Sequence, residues 1–114
     1  MEVLLQHSGP LSILKLNGRF FTESDREHAI EKLDEIENWN LVIDLSELEY
    51  INSTGIAFLV KTLTRSRLNL GDTILFKPNA QLSKIFELTR MEHIFNIFED
   101  FEQIKKFFEQ TTWR

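Results

Sequence analysis

The chain has 114 residues, enough for one domain with its own core. Thirteen basic against eighteen acidic residues leave a formal charge of −5, which argues against a bulk electrostatic nucleic-acid binder. The absence of cysteine excludes disulfides and thiolate metal sites, and no apolar run approaches the roughly 20 residues of a membrane-spanning helix.

Val3 to Gln6 and Leu11 to Leu16 are apolar-rich runs separated by Ser8-Gly9-Pro10, which predicts a hairpin with a loose turn. Met1 to His7 carries neither a basic region nor a long apolar run, so no signal peptide is expected. Thr22-Glu23-Ser24-Asp25 supplies N-cap candidates for a helix whose apolar face is Ala29, Ile30, Leu33 and Ile36. Leu41 to Leu45 is a short continuous apolar run, the pattern of a strand buried on both faces. Ser46 to Tyr50 reads as a connection returning to Ile51. Asn52-Ser53-Thr54-Gly55 then opens a helix bearing Ile56, Leu59, Val60, Leu63 and Leu70 at helical spacing, with Gly71 as its stop.

Thr73 to Phe76 reads as another buried strand. Asn79 caps a helix carrying Leu82, Ile85, Phe86 and Leu88, and Ile94 to Phe98 is a fifth strand. Asp100 with Gln103 three residues later resembles a capping box for a last helix with Phe101, Ile104, Phe107 and Phe108. Alternating strands and helices predict an α/β fold in one domain over residues 1–114. The sheet should be mixed, with four or five strands and about four helices.

Little in the chain speaks for catalysis. His7, His28 and His93 lie in different elements, and none has a metal-ligand partner at i+2 to i+4. There is no nucleophile elbow, P-loop or dinucleotide fingerprint. Glu31, Asp34 and Glu35, like Glu99, Asp100 and Glu102, read as solvated helix faces and helix starts. Neither an enzymatic activity nor a cofactor is expected.

The informative stretch runs from Asp44 to Leu70. It places the Ser53 hydroxyl at a helix N-terminus, beside free backbone N–H groups and the positive end of the helix dipole, where an anion is favoured. On spacing alone, an ordinary N-cap serine is the simpler reading. Leu59, Val60 and Leu63 with Ile56 should pack on the sheet. The other side of the helix carries Phe58, Thr62 and Arg65 at i, i+4 and i+7, the composition of an interface if Phe58 is exposed. The alternative is that Phe58 packs under a neighbouring loop.

This stretch resembles the STAS domain, and specifically the stand-alone anti-sigma factor antagonists. Their hallmark is a strand ending in Asp-Leu, a short linker with an aromatic, and D-S-[ST]-G-[LI] opening a helix. Here that reads Asp44-Leu45, Tyr50-Ile51 and Asn52-Ser53-Thr54-Gly55-Ile56. Leu14 to Arg19 resembles the family's second strand and turn, Arg65 to Phe76 its helix end and next strand, and Asn79 to Thr89 its third helix, with Arg90 in place of a glycine. The resemblance spans about residues 3 to 109.

It implies a STAS-like sheet with the helices mainly on one face, in a cytoplasmic, monomeric binding module without membrane insertion. In such proteins a serine kinase that is also the anti-sigma factor, with a histidine-kinase-like ATPase fold, phosphorylates the serine corresponding to Ser53. The unphosphorylated antagonist binds that kinase and releases the sigma factor, and a PP2C-like phosphatase resets the cycle. The resemblance makes Ser53 the phosphoacceptor, with Asn52, Thr54 and Gly55 its loop and helix start; Phe58, Thr62 and Arg65, from their spacing on the helix, are expected to bind the partner together with Phe21. Two departures stand out: Asn52 replaces the motif's acidic residue, and Gly18-Arg19-Phe20-Phe21 places Phe21 where an aspartate is usual. They keep a second expectation open, a STAS scaffold or accessory protein that regulates a transporter or lipid-transport ATPase without a phosphoserine cycle.

Overall fold

The computed structural model describes residues 1–111. The elements are β1 (Glu2–Ser8), β2 (Leu11–Phe20), α1 (Glu23–Leu33), β3 (Asn40–Asp44), β4 (Leu48–Ile51), α2 (Ser53–Leu68), β5 (Asp72–Phe76), α3 (Ala80–Leu88), a 3₁₀ turn (Met91–His93), β6 (Ile97–Phe98) and α4 (Phe101–Thr111). They form a mixed six-stranded sheet in the order β1-β2-β3-β5-β6, with β4 beside β2.

The long strand β2 organises the sheet by serving three neighbours. It pairs antiparallel with β1 through Leu11 to Asn17, and parallel with β3 through Ser12 to Lys15. Its pairing with β3 ends at Lys15, and from Gly18 on it pairs parallel with β4, Gly18 opposite Leu48, Arg19 opposite Tyr50 and Phe20 opposite Ile51. The register shifts between Gly18 and Arg19, and Gly18 sits at φ +102°, a backbone state open to glycine and costly for other residues. Strand β4 occupies what the sequence reads as a connection. Its four residues are too few for the periodicity to register, yet Leu48 and Ile51 are buried while Glu49 is exposed.

The parallel strands are covered on both faces. Leu14, Leu16, Leu41, Ile43 and Leu75 face a large core with Leu33 of α1, Leu59 and Leu63 of α2, and Leu82 and Phe86 of α3. The alternate residues Leu11, Val42 and Ile74 face Ile104 and Phe108 of α4. Three helices therefore lie on one face and α4 on the other. Leu88, expected in the α3 face, is 72% exposed instead, because α3 ends there.

Thr22 caps α1 as expected. Its hydroxyl accepts from Asp25 N at 3.0 Å, and the Asp25 carboxylate returns the bond to Thr22 N. Gly71 ends α2 for a different reason than the sequence suggests. The left-handed residue is Leu70, at φ 64°, while a Cβ on Gly71 would collide with the Trp39 carbonyl. Arg90 likewise ends α3 at φ 60°. The strand expected over Ile94 to Phe98 shrinks to Ile97–Phe98, with Phe95 buried in the preceding loop.

Candidate functional site

Helix α2 starts at Ser53, and its N-cap is Asn52 rather than the serine. The Asn52 Oδ1 accepts from Thr54 N at 3.0 Å and more loosely from Gly55 N at 3.4 Å. Its Nδ2 donates to the Phe21 carbonyl at 3.0 Å, and its backbone N–H to the Phe20 carbonyl at 3.1 Å. One amide side chain thus caps the helix and ties it to the end of β2. An aspartate could do only the first.

With the cap supplied by its neighbour, Ser53 is left exposed at the first helical position, and its hydroxyl makes no hydrogen bond to the described residues. Thr54 is half-buried. Gly55 is buried, and a Cβ there would lie 3.0 Å from Phe20 Cγ and closer still to the Ile51 side chain. A small residue is therefore required where the helix starts against the sheet. Arg65 and Arg67 in the last turn complement the negative end of the helix dipole, whereas the first turn holds no acidic residue and leaves the positive end unneutralised. A phosphoryl group on Ser53 would meet the positive end of that dipole.

Phe20 and Phe21 take opposite roles. Phe20 is fully buried, 5.4 Å from the Phe58 ring, whereas Phe21 is 50% exposed. Arg19 lies with its guanidinium 5.9 Å from the Phe21 ring and 5.4 Å from the Tyr50 ring. Where the family pattern has carboxylates, this end of the sheet presents a cation and two aromatic rings. Arg19 acquires this neighbourhood from the pairing of β2 with β4, a long-range contact that local residue patterns do not signal. Behind the loop, Asp25 accepts from Phe21 N and Thr22 N at 3.1 and 3.0 Å. Burial raises the pKa of Asp25, but these bonds, with the Met1 amino group 3.4 Å away, hold it below the ordinary 3.8.

The expected exposed face of α2 is corrected. Phe58 and Thr62 are 3% and 2% exposed, and the helix buries Gly55, Phe58, Leu59, Thr62, Leu63 and Ser66, leaving Ile56 and Val60 half-buried. The hydroxyls on this face are satisfied locally: Thr62 Oγ1 donates to Phe58 O at 2.7 Å and Ser66 Oγ to Leu63 O at 2.8 Å. They therefore sit inside at little cost and free the helix to turn Phe58 toward Phe20. Arg65 remains at the surface, bonded to Asp34 at 2.8 Å and stacked 4.8 Å from the Trp39 ring.

Among the described residues, no group of three or more His, Asp or Glu side chains is placed to hold a metal. No described helix is long and apolar enough to cross a membrane.

The STAS domain family model matches residues 2–104. The chain belongs to the STAS domain family, and within it to the anti-sigma factor antagonists. It is 30% identical over 77 residues to the anti-sigma-B factor antagonist of Listeria monocytogenes, a match covering 68% of each chain. Its fold superimposes on an anti-sigma factor antagonist from Mycobacterium paratuberculosis with a TM-score of 0.78 at 20% identity, covering 92% of this chain and 91% of the other. The phosphorylated form of SpoIIAA, a Bacillus cell fate determinant, has the same fold, with a TM-score of 0.65 at 16% identity, covering 92% and 98%.

Proposed function

We propose that this chain is an anti-sigma factor antagonist switched at Ser53. Unphosphorylated, it binds a serine-kinase anti-sigma factor with a histidine-kinase-like ATPase fold and releases the sigma factor. Phosphorylation of Ser53 ends the complex, and a PP2C-like phosphatase restores it. The observation that carries this reading is the state of Ser53: exposed, uncapped, and at the N-terminus of a long helix.

The physical logic follows from that position. A phosphate adds about −1.5 to −2 charges at pH 7. The helix N-terminus tolerates it, so the fold survives. A partner surface fitted to a hydroxyl does not, because an unpaired charge buried in an interface costs several kcal/mol. About 4 kcal/mol is nearly a thousandfold in affinity.

A second reading has its own support. The site lacks both acidic neighbours of the family motif, and its loop is fastened by an amide. A STAS scaffold or accessory protein that binds a transporter or lipid-transport ATPase needs no phosphoserine cycle. Intact-mass analysis after co-expression with the candidate anti-sigma kinases of the same genome separates the two. A single phosphate that disappears in Ser53→Ala supports the switch; an unmodified chain with every such kinase leaves the scaffold reading.

A further inference from the structure

Helices α1 and α2 leave a groove between them of about 140 Å³. Its floor is mainly apolar, built from Ile30, Leu33 and Phe58 with Thr62, whose hydroxyl is spent on the Phe58 carbonyl, and its charged rim is Arg26, Lys61 and Arg65. In a chain of net charge −5, this rim is wholly cationic. Arg26 is paired with Glu23 and Arg65 with Asp34, each at 2.8 Å, while Lys61 is exposed with no ion-pair partner among the described residues. Three cations against two carboxylates leave an excess positive charge around an apolar slot.

The volume is that of a single anchor. An engineered apolar cavity of ~150 Å³ holds one benzene. Arg65 is already held in place by Asp34 and the Trp39 ring, so its contribution to binding needs little further ordering. Arginine and tryptophan beside a small pocket are the composition of an interface hot spot.

We propose that this groove takes one aliphatic or aromatic side chain from an acidic segment of the partner, with its carboxylates on Lys61 and the neighbouring arginines. The inference rests on the reading of the chain as a binding module. Ser53, Ala57 and Lys61 form an exposed stripe on α2. Eight residues of helix span ~12 Å, so a partner seated over Ser53 reaches the groove along one helix. The groove thereby becomes the part of the interface that phosphorylation does not touch.

Selection of a random dodecapeptide display library on the intact chain tests this without any kinase. The enriched peptides carry one large apolar residue flanked by Asp or Glu. In fluorescence anisotropy, Lys61→Glu weakens the best peptide at least tenfold, Ile30→Trp fills the slot and abolishes binding, and Ser53→Glu leaves it within twofold. Circular dichroism confirms that each variant is folded, and Lys61→Glu, altering an exposed unpaired side chain, remains so. No enrichment, enrichment of peptides without acidic residues, a Lys61→Glu effect below tenfold, or binding retained by Ile30→Trp overturns the proposal. A chain that takes the peptide but is never phosphorylated keeps the groove and loses the switch. One that is phosphorylated but takes no such peptide keeps the switch alone.

Discussion

Asn52 and Phe21, 31 residues apart, are joined by a 3.0 Å hydrogen bond from the asparagine Nδ2 to the phenylalanine carbonyl. The same asparagine caps α2 through its Oδ1. Restoring the family's aspartate therefore does not simply restore a charge. Asn52→Asp keeps the cap and gains a favourable dipole interaction of ~0.3–1 kcal/mol. It gives up a hydrogen bond worth about 1 kcal/mol and sets a carboxylate against a carbonyl oxygen. Urea denaturation should show it slightly less stable than the parent. Asn52→Ala, which loses cap and tie together, should lose about 2 kcal/mol.

The buried face of α2 gives the largest expected losses. Leu59→Ala should cost ~2–5 kcal/mol and Phe58→Ala ~3–5 kcal/mol, both visible in chemical denaturation. A Phe58→Ala variant as stable as the parent would place its ring outside the core.

Ser53→Glu should fold like the parent. A carboxylate in the first turn contributes ~0.3–1 kcal/mol in favour of the fold. Amide chemical shifts should move in the first turn of α2 and at the end of β2, and hardly elsewhere. Binding to the anti-sigma partner should fall, while Ser53→Ala should bind and resist phosphorylation.

Asp25 makes stability depend on pH in acid. Its folded pKa is lowered below 3.8, so below that value the unfolded chain takes up a proton more readily than the folded one. The stability it contributes is complete well above 3.8 and is lost as pH falls through the folded pKa. Asp25→Asn should flatten that part of the profile, measured by urea midpoints in an acid titration series, and lower stability at neutral pH.

Arg90 holds a left-handed conformation at the end of α3. That conformation costs a residue with a Cβ roughly 1–2 kcal/mol, and glycine gives back part of the gain in unfolded-state entropy. Arg90→Gly should raise stability by about 0.5–1 kcal/mol in the same denaturation assay.

What the sequence made legible was whatever depends on near neighbours. The cap at Thr22, the doubly buried Leu41 to Ile43 and the helix start after Asn52 all announce themselves within a few residues. The burial of Thr62 and Ser66 did not, because hydroxyls bonded to their own helix behave as small core residues, and an apolar count turns the helix toward Ile56 and Val60. Nor did β4, whose partner on β2 lies thirty residues earlier. The exposed Ser53 could be named from the motif; its freedom from capping required the geometry of Asn52.

The register shift at Gly18 makes the serine loop depend on contacts distant in the chain. Closing β2 onto β4 and Asn52 onto Phe21 brings together segments about thirty residues apart, whereas α2 forms from neighbours in the chain. Such distant closures carry an entropic cost that local turns avoid. The fastened serine loop is thus a product of the finished sheet. A nascent or partly unfolded copy would expose the same Ser53 sequence without the held geometry, so under the proposed switch a partner that reads the capped loop would select the folded chain.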